Sequence, residues 1–292
     1  MENTMQASST ARIDRDRLEC VRGQINFARR APDENAPAAP AVDGLDVSLV
    51  SHEVEIRNAR PIVNELSLDR EGFILIQHKA SSVTESDPVI LAEKYQHEML
   101  PFIKDYFNAS RVTTVDVGGV TVRSLDEASE TRAWGGKNQR TVRNRGAGFA
   151  HVDYSPVAAP MIAARDSQLQ NIEIRGYSRL MIIQAWRALS PPPQDFPLAF
   201  CDASSIPPAD LVHVFQNKYG ISIGALFPHY NPAHRWYYLP DMTPDELFLF
   251  KGYDSDAHYE PRSAHSAFDN RRAYPNATPR KSIETRFYVY YD

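Results

Sequence analysis

The second half of the chain constrains its fold most: it is a succession of short apolar runs, each cut off before it could make a long helix. Residues 180–186, 197–201, 222–226, 235–239 and 246–250 are rich in branched and aromatic side chains and are separated by Pro, Asn or Asp. Such runs read as β-strands joined by turns. The last of them, 282–291, sets Ile283, Thr285, Phe287 and Val289 against Glu284, Arg286, Tyr288 and Tyr290. That alternation predicts a half-buried strand closing a sheet, one face on the core and the other toward solvent. A helix is expected over 209–217. No alternating βαβ rhythm runs through the sequence, so the expected fold is mainly β, an antiparallel double-sheet barrel of jelly-roll type flanked by helices.

The first half supplies the flanks. Residues 1–45 are polar and then rich in Pro and Ala, and read as a partly extended N-terminal arm, with 46–292 as one jelly-roll domain. The Gly-led run 72–78 reads as a buried strand. Apolar residues at helical spacing predict a helix over 87–107, with Ser86 available as its cap. Residues 112–122 alternate like a strand pair turning at Gly118-Gly119. The charged stretch 125–148 has little apolar periodicity and reads as a mobile loop beside a site, and 159–169 suits a second helix.

Several classes of function are disfavoured. A net charge of −5 without a long basic block argues against nucleic acid or an anionic membrane as partner and leaves a small molecule. A homo-oligomer is compatible with the sequence. Cys20 and Cys201 lie far apart, which gives neither a disulfide framework nor a thiolate cluster. With no apolar signal segment among residues 1–19 and no run long enough to span a bilayer, the expectation is a cytoplasmic protein. Gly118-Gly119 and Gly135-Gly136 lack dinucleotide-binding spacing, and there is neither a P-loop nor a G-x-S-x-G elbow.

What remains is a metal signature. In Ala-His151-Val-Asp153-Tyr-Ser, one imidazole and one carboxylate are two residues apart and can leave a strand on the same side. With a distant histidine they form the two-histidine, one-carboxylate facial triad of non-haem Fe(II) sites, which leaves three coordination positions open. His-x-acid pairs also arise by chance, and His258-Tyr-Glu260 is a second one. In a jelly roll the partner histidine returns on a late strand. His213 falls in the expected helix, His229 and His234 flank a Pro/Asn turn, and too little chain follows His258 for return strands. His265 has alternating apolar neighbours and a closing strand after it, which makes it the best distal ligand. Beyond it, Arg280 and Ser282 are two apart and can both reach one carboxylate.

Several spaced blocks then carry a resemblance: LSLDREGFILIQH, HVDYS, QAWRALSPPPQDFPLAFCDASS, RWYYLPDMTPDELFLFKGYDS, AHSAFDN and PRKSIETRFYVYY. Together they resemble the CmcJ/AsaB-like iron-dependent oxygenases of fungal and bacterial secondary metabolism, from about Glu53 to the C-terminus. The resemblance implies a double-stranded β-helix and chemistry with Fe(II), 2-oxoglutarate and O2. It carries His151, Asp153 and His265 over as metal ligands and Arg280, with Ser282 beside it, as co-substrate anchor. Trp186 and Arg187, at the end of an apolar run, are further expected lining residues. The chain departs from the pattern at Gln184, Ala185 and Ala188 within QAWRA, and at Ala264 before the distal histidine. Two other readings stay open: a metal cupin dioxygenase or isomerase that needs no 2-oxoglutarate, and a non-catalytic small-molecule-binding barrel.

Overall fold

Alternating side chains sort the strands into two sheets that face each other across an aromatic layer. The computed structural model describes residues 13–30, 38–39, 46–115, 119–124, 132–133, 139–142, 146–218, 221–256, 258 and 263–292. In chain order these form β1 (Cys20–Ala28), β2 (Leu49–Asn58), β3 (Phe73–Gln77), α1 (Pro88–Tyr106), β4 (Arg111–Thr114), β5 (Val120–Arg123), β6 (Arg132–Ala133) and β7 (Gln139–Val142). There follow α2 (Ala158–Leu169), β8 (Arg179–Ala188), β9 (Leu198–Cys201), β10 (Leu211–Lys218), β11 (Ile221–Pro228), β12 (Trp236–Tyr238), β13 (Glu246–Asp254), β14 (His265–Ala267) and β15 (Ser282–Tyr291). One sheet has the order β1-β2-β12-β9-β14, the other β3-β13-β8-β15-β5-β7-β6 with β4 also on β15, and β10-β11 form a separate hairpin.

Parity along the central strands decides what each side chain meets. Met181, Ile183 and Ala185 of β8 and Ile283, Phe287 and Val289 of β15 pack beneath Leu91, Ala92, Tyr95, Met99 and Ile103 of α1. Trp186 points the other way and joins Phe73, Phe200, Tyr237, Phe248 and Phe250 between the sheets. Burying such rings contributes on the order of 2–3 kcal/mol each, so this layer is a main tie between the sheets.

The helix α1 starts where its chemistry dictates, one residue later than the sequence suggested. Asp87, not Ser86, is the cap: its carboxylate accepts from the backbone N–H groups of Val89 (2.8 Å) and Ile90 (3.1 Å). Pro88 follows at the first helical position, where its missing N–H is no loss. Asp87→Ala should lower unfolding free energy by about 1 kcal/mol. Urea titration checks this, with an unchanged slope expected because the exposed cap adds little to buried area.

Three expectations need correction. The 209–217 segment is no helix but strand β10, paired with β11 from Leu211 to Lys218. Its Val212 and Val214 alternate with the more exposed His213 and Phe215, and β-branched packing prevails over the helical reading. Residues 112–122 are not a hairpin. β4 and β5 line up one after the other on the same edge of β15, against residues 287–290 and 282–285. The ten-residue β15 offers more ladder than either short strand fills; Gly118 lies outside the described residues. Finally, β15 is buried on both faces, with Arg286 and Tyr291 its least buried members. Of the expected loop 125–148, residues 125–131, 134–138 and 143–145 lie outside the described residues, while β6 and β7 join the sheet. Within the expected arm, β1 pairs along its whole length with β2.

Candidate metal centre

Backbone pairing brings the first histidine to the last. The stretch around His151 runs extended between β11 and β14: Val152 bridges Leu226, and His151 bridges His265. The His151 N–H donates to the His265 carbonyl at 3.2 Å and the His265 N–H returns to the His151 carbonyl at 3.0 Å. Val152 turns into a core with Ile25, Phe27 and Trp236. Its neighbours at one residue on either side, His151 and Asp153, therefore leave the backbone together on the opposite side.

Each imidazole is oriented from behind. Nδ1 of His151 lies 3.0 Å from the Phe149 carbonyl, and Nδ1 of His265 lies 3.1 Å from the Ser263 carbonyl. A carbonyl only accepts, so the proton sits on Nδ1 and each Nε2 presents a lone pair inward. Nε2 of His151 lies 3.5 Å from Oδ1 of Asp153, and Nε2 of His265 lies 3.9 Å from Oδ2. Cis ligands on one first-row ion at bonds of about 2.1 Å lie about 3 Å apart, and Nε2 of His151 and Oδ1 of Asp153 come nearest to that separation. Acceptors facing one point with no proton between them form an arrangement that a cation completes. Among the described residues this is the group of His, Cys, Asp and Glu side chains whose donor atoms gather within 4.8 Å.

Electrostatics favour the metal-ready protonation state. Burial alone would raise the Asp153 carboxyl, but the Arg286 charge beside it outweighs this and holds Asp153 well below the usual carboxylate range. Burial, followed by the neighbouring His151, pushes His265 down to about 4. At neutral pH the imidazole His265 offers is therefore neutral, as a ligand must be.

Beside the triad opens a cleft lined by His151, His265, Arg123, Gly146, Ala147, Trp186, Leu198, Ala267, Arg280, Glu284 and Arg286. Arg280 is 3% exposed. Its Nη1 donates to the Phe196 carbonyl at 2.7 Å, and its guanidinium lies 5.8 Å from the Trp186 ring. Its Nε has no hydrogen-bond partner, and neither has the buried hydroxyl of Ser282. Burial and then the nearby Arg123 push Arg280 down to about 9. Among the described residues Arg280 has no ion pair, and a carboxylate entering the cleft would satisfy it; Ser282 is not among the residues lining the cleft. Gly146, at φ +91°, lets the backbone close on this guanidinium; a Cβ there would collide with it.

The sequence-expected residues divide here. His151, Asp153, His265, Arg280 and Trp186 all line or build one cleft. Arg187 is not brought to it. It lies on the α1 side of β8, bonded to Tyr95 Oη (3.0 Å) and to the carbonyls of His78 and Pro244 (both 2.9 Å). His213 and His258 are exposed, His229 Nδ1 faces the Ala28 carbonyl at 2.8 Å, and His234 is buried against Asp210 at 3.0 Å. Sequence reasoning missed Glu284 and Arg286, taking the latter as a surface charge. Their spacing offered a signal, because 282, 284 and 286 share one face of a strand.

Comparisons with known proteins bear on the family and the fold. A family model described as "Oxidoreductase/YMDC permease-like domain" matches residues 25–290. The chain is 31% identical over 254 residues to "Hydroxylase/desaturase efuI" of Hormonema carpetanum, covering 82% of this chain and 83% of that one. It is 35% identical over 130 residues to "Hydroxylase/desaturase asaB" of Aspergillus flavus, covering 39% and 57%. The solved structure of "iron and alpha-ketoglutarate-dependent endoperoxidase NvfI" aligns with a TM-score of 0.71 at 25% identity, over 93% of this chain and 98% of that one. Among the described residues no helix is long and apolar enough to cross a membrane.

Proposed function

The chain belongs to the CmcJ/AsaB-like oxidoreductase family matched along residues 25–290, and from that premise we propose that His151, Asp153 and His265 hold Fe(II) while Arg280 and Ser282 grip the far carboxylate of 2-oxoglutarate. The protein is a non-haem Fe(II)/2-oxoglutarate-dependent dioxygenase of secondary metabolism that acts on a small molecule. With O2, the bound metal and co-substrate supply the oxidant for a C–H bond, while 2-oxoglutarate ends as succinate and CO2. Hydroxylation, desaturation or oxidative cyclisation follows from how the pocket holds the substrate.

The protein's own share is placement. The backbone bridge spaces the two imidazoles, and the carbonyls of Phe149 and Ser263 fix their tautomers. Phe250 stands edge-on to His265, with ring centres 4.9 Å apart, and keeps water from that side. Trp186 walls the cleft next to Arg280. One observation carries the co-substrate reading over a metal-only cupin or a non-catalytic barrel: Arg280, a buried cation with an unbonded Nε, opens onto the triad's own cleft, and the unbonded hydroxyl of Ser282 lies two residues further along the chain. A net charge of −5 supports a small molecule, not a nucleic acid or membrane, as partner. Two cysteines without a disulfide support a cytoplasmic setting, and a homo-oligomer is compatible with the chain.

Anaerobic loading with Fe(II), followed by 2-oxoglutarate and air, should give succinate formation that depends on both additions. Mass spectrometry of products from a panel of metabolites then identifies the substrate. Turnover independent of 2-oxoglutarate would count for the metal cupin, and iron binding without O2 uptake for the non-catalytic barrel.

A further inference from the structure

We infer that Arg286 is a positioning residue for the metal carboxylate: it occupies Oδ2 of Asp153 so that Asp153 offers an ion one oxygen, and Gln184 and Glu284 hold Arg286 in turn. The inference rests on the iron reading above and goes beyond it in assigning the denticity of Asp153.

Three contacts converge on one guanidinium. Nη2 of Arg286 donates to Oδ2 of Asp153 at 3.2 Å and lies 2.6 Å from Oε1 of Glu284, while Nε donates to Oε1 of Gln184 at 2.9 Å. Gln184 sits directly opposite Arg286 in the β8–β15 ladder, and Glu284 lies two residues earlier on the same face of β15. Two adjacent strands thus aim the fork: sheet register fixes Gln184 and Glu284 against it, and Asp153 follows the bridged His151 and Val152. The Asp153 side chain is 18% exposed and that of Arg286 11%, so the pair is largely shielded from water.

Coordination arithmetic gives the arrangement a purpose. Two imidazoles and one carboxylate oxygen leave three positions on a six-coordinate ion, and 2-oxoglutarate with O2 needs all three. An aspartate that swung to give both oxygens would take a fourth position. Holding Oδ2 in a charge-assisted hydrogen bond leaves Oδ1, 3.5 Å from Nε2 of His151, to face the ion. Mere neutralisation of a buried acid would not require a planar fork with a dedicated Nε acceptor, since an ammonium would serve.

Co(II) is the probe, because it binds such sites without O2 chemistry and its visible spectrum reports coordination number. Arg286→Met should weaken Co(II) binding by about 10- to 100-fold, the range found when a group behind a metal ligand is lost, and should alter the Co(II) spectrum. Arg286→Lys should recover only part of both. Glu284→Gln, which leaves the Asp153 contact but loosens the fork, should move both in the same direction by less. If Arg286→Met does not fold, Gln184→Leu removes the Nε acceptor and carries the same comparison. Wild-type affinity and spectrum in Arg286→Met, even with a lowered melting temperature, would reduce Arg286 to a structural role and overturn the inference. Full recovery by Arg286→Lys would overturn it as well, leaving charge alone. If the unsubstituted protein bound no Co(II), the iron reading itself would fall and this inference with it.

Discussion

Asp153→Ala should abolish Fe(II) binding at any practical concentration, and His265→Ala should come close to it. These are the largest effects expected in the chain. Loss of a group behind a ligand weakens binding by about 10–100-fold, so loss of a ligand should exceed about 100-fold. Asp153 is the worse loss because it carries the negative charge of the triad. Without it, the buried Arg286 that now faces Oδ2 at 3.2 Å would face an incoming cation directly. Anaerobic Fe(II) titration with succinate assays reads both effects. Because burial holds His265 near 4, binding between pH 8 and pH 6 should need no proton release from that residue. His229→Ala, which removes a contact to the Ala28 carbonyl, is the control. Normal turnover in His265→Ala with loss in His229→Ala would refute the assignment.

The second large effect belongs to Arg280. Truncating one partner of a buried, charge-assisted pair costs ~2–5 kcal/mol. Arg280→Ala should therefore raise the apparent dissociation constant for 2-oxoglutarate by roughly 30-fold to several thousand-fold. Fe(II) affinity should stay near normal, since Arg280 bonds to the Phe196 carbonyl and touches no ligand of the triad. Arg280→Lys should restore part of the affinity, because a point charge cannot reproduce the fork. Arg271 and Arg272 are exposed and paired with Asp269 and Glu53, so their alanine variants should leave the saturation curve unchanged. A near-normal curve in Arg280→Ala would move the anchor to another cation of the cleft, with Arg123 first in line.

The strands, the long helix and the gathering of His151, Asp153 and His265 were legible because each rests on local pattern or on one topological rule. The polar half of β15 was not. Alternation tells which residues share a face but not whether that face meets water, and Glu284 and Arg286 meet the cleft instead. Parity also separates Trp186 from Arg187: one residue along β8 flips a side chain from the aromatic layer to the underside of α1. For residues 209–217 the error lay in period, since two valines two apart fit a strand better than a helix turn.

The paired backbone of His151 and His265 has a consequence for the life of the protein. Those residues belong to chain segments separated by most of the barrel, and they meet only when β11 and β14 are in place on either side of Val152 and His151. An unfolded chain holds no such pair, so an ion in this site binds the native state alone. At a free concentration 100 times its dissociation constant, such an ion adds about 2.7 kcal/mol to the folding free energy. That is a sizeable fraction of the 5–15 kcal/mol by which domains usually persist. If His151, Asp153 and His265 hold the ion as proposed, metal supply should raise abundance as well as support catalysis, and depleting metal should lower the melting temperature and speed proteolysis of the purified protein.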